Sequence, residues 1–242
     1  VGIDIEAVLE GAQEMSEAIT QDTIESTGAF RFAAGALFAL REYGSKNLVL
    51  MPYADALRVT SQWFVQLWAE SLGKRVARSG EVVHAGQTPI AAIGATDQHA
   101  QVQLFMEGPR DKVVVLVSVK KFNKKLLIPN ELDEHEEVSF LHGRDLGELL
   151  DAERRGTRAA LLAAGVPVID VELDSLTPKT FGGLLMLLKG ACSLMGMAMG
   201  INPFDQPGVE AGKRMALGLM GRVGFEQEAT RVKVRESVGL SV

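Results

Sequence analysis

The sequence predicts an α/β domain, a three-layer αβα sandwich built on a mainly parallel sheet. Two observations carry this. Strand-like segments alternate with helix-like ones along most of the chain, the order that βα units impose. Residues 113–119 are Val and Leu except for Ser118. Such a near-continuous apolar run suits a parallel strand covered on both faces. The 242 residues, 47% hydrophobic and 23% charged, have the composition of a soluble globular protein. They suffice for one large domain or two small ones. In folds of this class, ligands sit at the carboxyl ends of the strands and in the loops after them.

Residues 3–17 and 30–43 carry small and apolar side chains at helical spacing and read as helices. Ile5, Val8, Leu9 and Ala12 mark the first. Gly44 stops the second before a strand over 47–51, Asn-Leu-Val-Leu-Met. Pro52 to Asp55 turn the chain into a helix over 56–72 that carries Trp63, Phe64 and Trp68 and ends at Gly73. Residues 74–94 are rich in Gly, Ser and polar side chains and read as one long loop, a feature that is usually functional in a compact domain. A helix over 97–107 comes next, with Thr96 or Asp97 as its N-cap, and then the strand over 113–119. Residues 131–137 form an acidic, exposed loop. A helix over 145–164 stops at Gly165, and a strand covers 167–172. Thr177-Pro178 starts a helix that runs through a Met-rich stretch to residue 199. Met186, Met195, Met197 and Met199 read as core filling, and Cys192 among them as an inert buried thiol. Beyond residue 202 come a turn and a helix, then helix or coil to the end.

Several functional classes are excluded. A single cysteine rules out an internal disulfide framework and fits a reducing cytoplasm. The net charge is −6, and Lys and Arg are dispersed apart from Lys120-Lys121 and Lys124-Lys125. No basic stripe for nucleic acid results, and aromatic residues for stacking are few. The longest apolar stretches are interrupted by Gly, Lys or Ser, so none reads as membrane-spanning. There is no Walker loop, no G-x-G-x-x-G, and no paired metal-ligand spacing, and the four histidines His84, His99, His135 and His142 do not space as a metal site. A small-molecule partner is expected, with no metal, no nucleic acid and no membrane. The chain opens at Val1 directly on a helical pattern, from which preceding sequence is expected.

The most informative segment is residues 202–213, Asn-Pro-Phe-Asp-Gln-Pro-Gly-Val-Glu-Ala-Gly-Lys. Asn-Pro and then Pro-Gly punctuate a turn, and the residues after the turn are helical. Gln206 therefore sits in a loop near a helix start, with Lys213 on the helix. Free backbone N–H groups and the positive end of the dipole suit an anion there. By itself the segment suggests an anion or sugar-phosphate site, and Lys213 taken alone reads as a surface lysine. Glu70 is either a solvated helix glutamate or a general base that Trp63, Phe64 and Trp68 shield and tune. Gln66 lies one turn earlier, at i−4, so the two side chains share a helix face and can meet one ligand. His99 stands just inside a helix start in Gly-Ala-Thr-Asp-Gln-His-Ala-Gln, residues 94–101, and taken alone is a structural histidine.

Together these segments resemble the phosphoglucose isomerases, over essentially the whole chain. Phe-Asp-Gln-Pro-Gly-Val-Glu-Ala-Gly-Lys at 204–213 is similar to the family's C-terminal signature. Gln-His-Ala within 94–101 is similar to its histidine block, and Glu-Ser-Leu-Gly-Lys within 66–74 to its glutamate block. Ala198 stands where the signature usually has a larger aliphatic residue. The resemblance implies one sugar-isomerase-type domain with flanking helices over 1–242. It implies a cytoplasmic enzyme of glycolysis and gluconeogenesis that interconverts glucose 6-phosphate and fructose 6-phosphate through a cis-enediol or enediolate.

By the same resemblance, Glu70 is the base that moves a proton between the second and first carbons of the open sugar. His99 and Lys213 assist ring opening, and Gln66 and Gln206 contact substrate. His99 acts in the site of the neighbouring subunit of a homodimer, and no cofactor is needed. The family's Ser/Thr-rich phosphate loops and its Gly-Gly-Arg signature are not found here. The resemblance is therefore to a C-terminal half, with an N-terminal domain expected outside this chain and the isolated segment expected to be inactive. The alternative is a non-catalytic sugar-phosphate-binding regulatory module.

Overall fold

Helix caps, short-range turns and one deeply apolar strand set the frame of the fold. The computed structural model of the chain describes residues 2–21, 27–129 and 136–236. Most of the expected acidic loop over 131–137, and His135 with it, lies outside the described residues. The chain divides into two units, Val1–Pro203 and Phe204–Val242.

In the first unit, Asp4 caps α1 (Ile5–Ile19) by accepting from the Ala7 N–H at 3.0 Å. Thr27 caps α2 (Gly28–Glu42) in the same way through Phe30. Strand β1 (Asn47–Pro52) leads through a 3-10 turn, Asp55–Leu57, into α3 (Arg58–Leu72). Next come β2 (Lys74–Val76), β3 (Val82–Ala85) and β4 (Thr88–Ala91). A π-helical turn, Gln98–Val102, continues into the short α4 (Gln103–Glu107). The unit continues with β5 (Lys112–Lys121), α5 (Leu146–Ala163), β6 (Val168–Ser175) and α6 (Pro178–Ala198).

The main sheet is parallel throughout, in the order β4-β1-β5-β6. Side chains of successive strand residues point to opposite faces, and the core divides accordingly. Leu48, Leu50, Val113, Val115 and Val117 pack under α2, α3 and α6. Val49, Met51, Val114 and Leu116 meet Phe105 of α4 and Leu161 of α5 on the other face. The three layers are those expected from the sequence, and β5 is buried over its first eight residues, as its apolar run requires.

Residues 74–94 are not one loop. β2 and β3 form an antiparallel hairpin, and β4 joins the main sheet beside β1, with Leu48 opposite Pro89. β4 has four residues and includes a proline, which hides its strand character. The proline is tolerated because β4 is an edge strand, bonded on one side only. The expected helix over 97–107 is likewise interrupted, since its first turn is π-helical.

α6 starts where the Thr-Pro pair placed it. The Thr180 hydroxyl accepts from the Thr177 N–H at 2.9 Å, and the Thr177 hydroxyl accepts from the Thr180 N–H at 3.2 Å. Thr177→Ala is expected to cost about 1 kcal/mol of stability, read as a lower midpoint in chemical denaturation; an unchanged midpoint would count against the cap. By length and apolar composition α6 is also capable of crossing a membrane, contrary to the expectation from its interrupted apolar stretches. It is a core helix here, packed on α1, α2 and α3, with Leu184, Leu188, Ala191 and Met195 buried. Cys192 is buried beside them, and burial pushes its thiol up to about 11. Met197, expected in the core, is instead exposed, because it lies two residues past Met195 and so across the helix from it.

The second unit is a helical pair. A 3-10 turn, Pro207–Val209, feeds α7 (Glu210–Leu219), and α8 (Glu226–Glu236) comes after it. The Arg214 guanidinium bonds the Glu228 carboxylate at 2.6 Å and stacks over the Phe225 ring. That ion pair holds the Glu228 carboxyl below its ordinary range.

Candidate active site

Parallel topology decides where each candidate residue stands. β1 rises to the carboxyl edge of the sheet, α3 returns antiparallel to it, and β4 rises again beside β1. α3 has fifteen residues and is roughly 22 Å long, so Glu70 in its last turn reaches the amino edge. His99 comes after β4 at the carboxyl edge. The chain therefore places Glu70 and His99 at opposite edges of the sheet.

Glu70 and Gln66 meet as their spacing requires. The Gln66 amide donates to the Glu70 carboxylate at 3.3 Å, with Gln66 exposed and Glu70 half-buried. Their aromatic surroundings differ from the expectation. Phe64 and Trp68 are fully buried and pack edge-on against Phe32 in the core. At about 100° per residue they point away from Glu70 and cannot shield it. Only Trp63, partly buried, falls on the Gln66–Glu70 side. Below Glu70 lies a residue expected at the start of a loop. Lys74 is buried, and its ammonium donates to the Glu70 and Ser71 carbonyl oxygens, each at 2.8 Å. The Gly-Lys pair directly after a helix is the available signal, since cations favour helix C-termini.

His99 is exposed on the π-helical turn, and that turn is clamped. The Gln98 amide donates to the Tyr53 hydroxyl at 2.8 Å, and Tyr53 is buried at the end of β1. The Asp97 carboxylate turns back to accept from the Ile93 N–H at 2.7 Å. Asp97 is the N-cap residue, one of the two expected, but its carboxylate makes no capping bond to the turn ahead of it. Gly94 is required where it stands, because a Cβ there would come within 2.5 Å of the Tyr53 ring. The result is an imidazole presented to solvent on a rigid support.

Gln206 and Lys213 belong to the second unit. Gln206 is exposed immediately before the 3-10 turn. Lys213 lies in the first turn of α7, exposed, with its ammonium 2.9 Å from the Glu210 carboxylate. The loop-then-helix order expected for this segment is present, with the 3-10 turn inserted between. The carboxyl ends of β5 and β6, where folds of this class hold ligands, open on a cleft of about 670 Å³ lined by Lys121, Lys125, Asp151 and Arg154. None of the candidate residues lines it.

Known proteins match along this whole framework. The family model described as phosphoglucose isomerase matches residues 1–232. A glucose-6-phosphate isomerase from Carboxydothermus hydrogenoformans is 43% identical over 235 residues, 96% of this chain and 50% of that protein. One from Rubrobacter xylanophilus is 42% identical over 93% of this chain and 50% of its own length. Among solved structures, a hypothetical protein from Thermus thermophilus superposes with a TM-score of 0.82 at 36% identity, covering 91% of this chain and 51% of that one. A glucose-6-phosphate isomerase from Chlamydia trachomatis superposes with a TM-score of 0.79 at 18% identity, over 96% of this chain and 46% of its own, and shows the fold alone. The chain spans about half the length of the relatives it matches. With a model match over nearly all its residues and a parallel fold shared with solved relatives, the chain belongs to the phosphoglucose isomerase family.

Proposed function

We propose that this chain is the C-terminal half of a cytoplasmic glucose-6-phosphate isomerase and supplies the base of an aldose–ketose isomerisation. The observation that carries this reading is the Gln66–Glu70 pair. A half-buried carboxylate, steadied by an amide on the preceding turn, faces outward from the end of a helix in a member of this family. Glu70 takes the proton from the second carbon of the open-chain sugar phosphate. The electron pair left behind forms the enediolate, the hydroxyl proton on the second carbon passes to the oxygen on the first, and Glu70 returns its own proton to the first carbon. Gln66 and Gln206 contact the sugar. Ring opening needs one group to protonate the ring oxygen and another to accept the hydroxyl proton, and His99 and Lys213 fill these roles. A cation near the enediolate oxygen also stabilises the charge that develops there. No cofactor takes part in this sequence of proton transfers.

The opposite placement of Glu70 and His99 in one protomer supports a homodimer in which His99 serves the partner's site. The exposure of His99 on a clamped turn fits that arrangement. Phosphate contacts belong to an N-terminal domain outside this chain, so residues 1–242 alone are inactive.

Subunit complementation tests the shared site. In the complete enzyme, Glu70→Gln and His99→Ala dimers are each expected to convert fructose 6-phosphate very slowly. After mixing and subunit exchange, about a quarter of wild-type activity is expected, because half the dimers become hybrids and each hybrid holds one intact site. No recovery despite demonstrated exchange would sink the shared-site reading.

A further inference from the structure

We propose that Lys74 is a positioning residue for Glu70: its buried ammonium seats the last turn of α3 and thereby sets where the Glu70 carboxylate stands. This rests on the reading of Glu70 as the base.

Lysine is among the residues least often buried, and an ammonium removed from water must recover its hydrogen bonds. Lys74 is only 5% exposed. It recovers two bonds at 2.8 Å, one to the carbonyl of Glu70 itself and one to that of Ser71. These are carbonyls that a helix end leaves without intrahelical donors. α3 lacks the usual remedy. Its chain leaves at Gly73 in an extended conformation, φ −71°, rather than the left-handed turn that would bring later N–H groups back to the last carbonyls. The backbone supplies one closing bond, from the Gly73 N–H to the Ala69 carbonyl at 2.9 Å. The ammonium takes the place of the missing N–H groups, and its charge opposes the negative end of the helix dipole.

Lys74 is itself held. It is the first residue of β2 and pairs with Ala85 across the hairpin. Cys192 of α6 donates to the Leu67 carbonyl at 3.7 Å, so α6 supports the same end of α3. The Cys192 thiol, raised by burial, stays protonated near neutral pH and brings no negative charge to compete for the ammonium. Final helical turns fray readily when nothing ties them. A base displaced by about 1 Å can lose on the order of a hundredfold in rate.

The test uses the complete enzyme and steady-state kinetics with fructose 6-phosphate. Lys74→Met is expected to lower kcat by about tenfold to a hundredfold while KM moves less than about threefold. Amide exchange across residues 69–73 is expected to quicken, and Lys74→Arg to recover most of kcat. In a Glu70→Gln background, Lys74→Met is expected to cause no further loss, because it acts through Glu70. Should Lys74→Met not fold, Lys74→Gln, which keeps a donor on a shorter stem, carries the same comparisons. Wild-type kcat in the folded variant would overturn the proposal, as would a further loss in the Glu70→Gln background or an inactive Lys74→Arg. Full turnover in Glu70→Gln alone overturns the base assignment and this proposal with it. An inactive Glu70→Gln beside a fully active Lys74→Met overturns this proposal by itself.

Discussion

Glu70→Gln in the complete enzyme is expected to lower kcat for isomerisation by roughly 10²–10⁴-fold, with KM changed by less than about threefold. The substitution preserves shape and removes one property. Glutamine at 70 still accepts the Gln66 hydrogen bond, now 3.3 Å long, through its amide oxygen. Both side chains remain on the outward face of α3, so the sugar contacts proposed for this face persist. What is lost is a group able to take a proton from carbon and carry it to the next carbon. That loss falls on the transition state and not on substrate binding, which is why kcat moves and KM does not. Steady-state kinetics in both directions, with solvent-proton exchange at the second carbon, would measure it. Turnover close to wild type would remove Glu70 from the base role.

Gly182→Ala and Gly11→Ala are each expected to destabilise the protein by roughly 3 kcal/mol or more. α1 lies against α6 with helix backbones in contact, and these two glycines make the approach possible. A Cβ at Gly182 would overlap the Val8 carbonyl oxygen, and one at Gly11 would overlap the Lys179 carbonyl oxygen. The obstruction in each case is backbone and not the flexible end of a side chain, so relief requires the helices to separate. Lys179 clasps the same crossing from outside, 2.8 Å from both Glu10 and Glu14, and those two carboxylates push its ammonium up to about 12. These exposed bridges are weak and would not offset a separation of the helices. Gly156 on α5 is the control. A Cβ there meets nothing within 4 Å, so Gly156→Ala is expected to stabilise by about 0.5–1 kcal/mol. Thermal unfolding of the three variants would decide. Equal midpoints for Gly156→Ala and Gly182→Ala would show that the α1–α6 contact is looser than it stands here.

Legibility of the fold followed the range of the forces involved. β5 could be read because a strand covered on both faces must be apolar along its length. The start of α6 could be read because Thr177 and Thr180 bond within three residues of each other. β4 could not. Its four residues include Pro89, and their strand character comes from β1, forty-one positions earlier in the pairing of Asn47 with Thr88. The shielding expected around Glu70 failed for a related reason. Proximity in sequence suggested Phe64 and Trp68, while the helix face that meets Phe32 turned them into the core.

For the site, local sequence determined residue types and short spacings: the Gln66–Glu70 pair, the Gln-His-Ala block around His99, the turn before Lys213, and with them membership of the family. Tertiary structure alone decided that Glu70 and His99 stand at opposite edges of one sheet, that the π-helical turn is pinned to Tyr53, and that Lys74 is buried beneath Glu70. Each of these depends on pairing or packing between segments far apart in the chain. A helical or strand period records only which face of its own element a residue takes, and says nothing of which distant element will cover it.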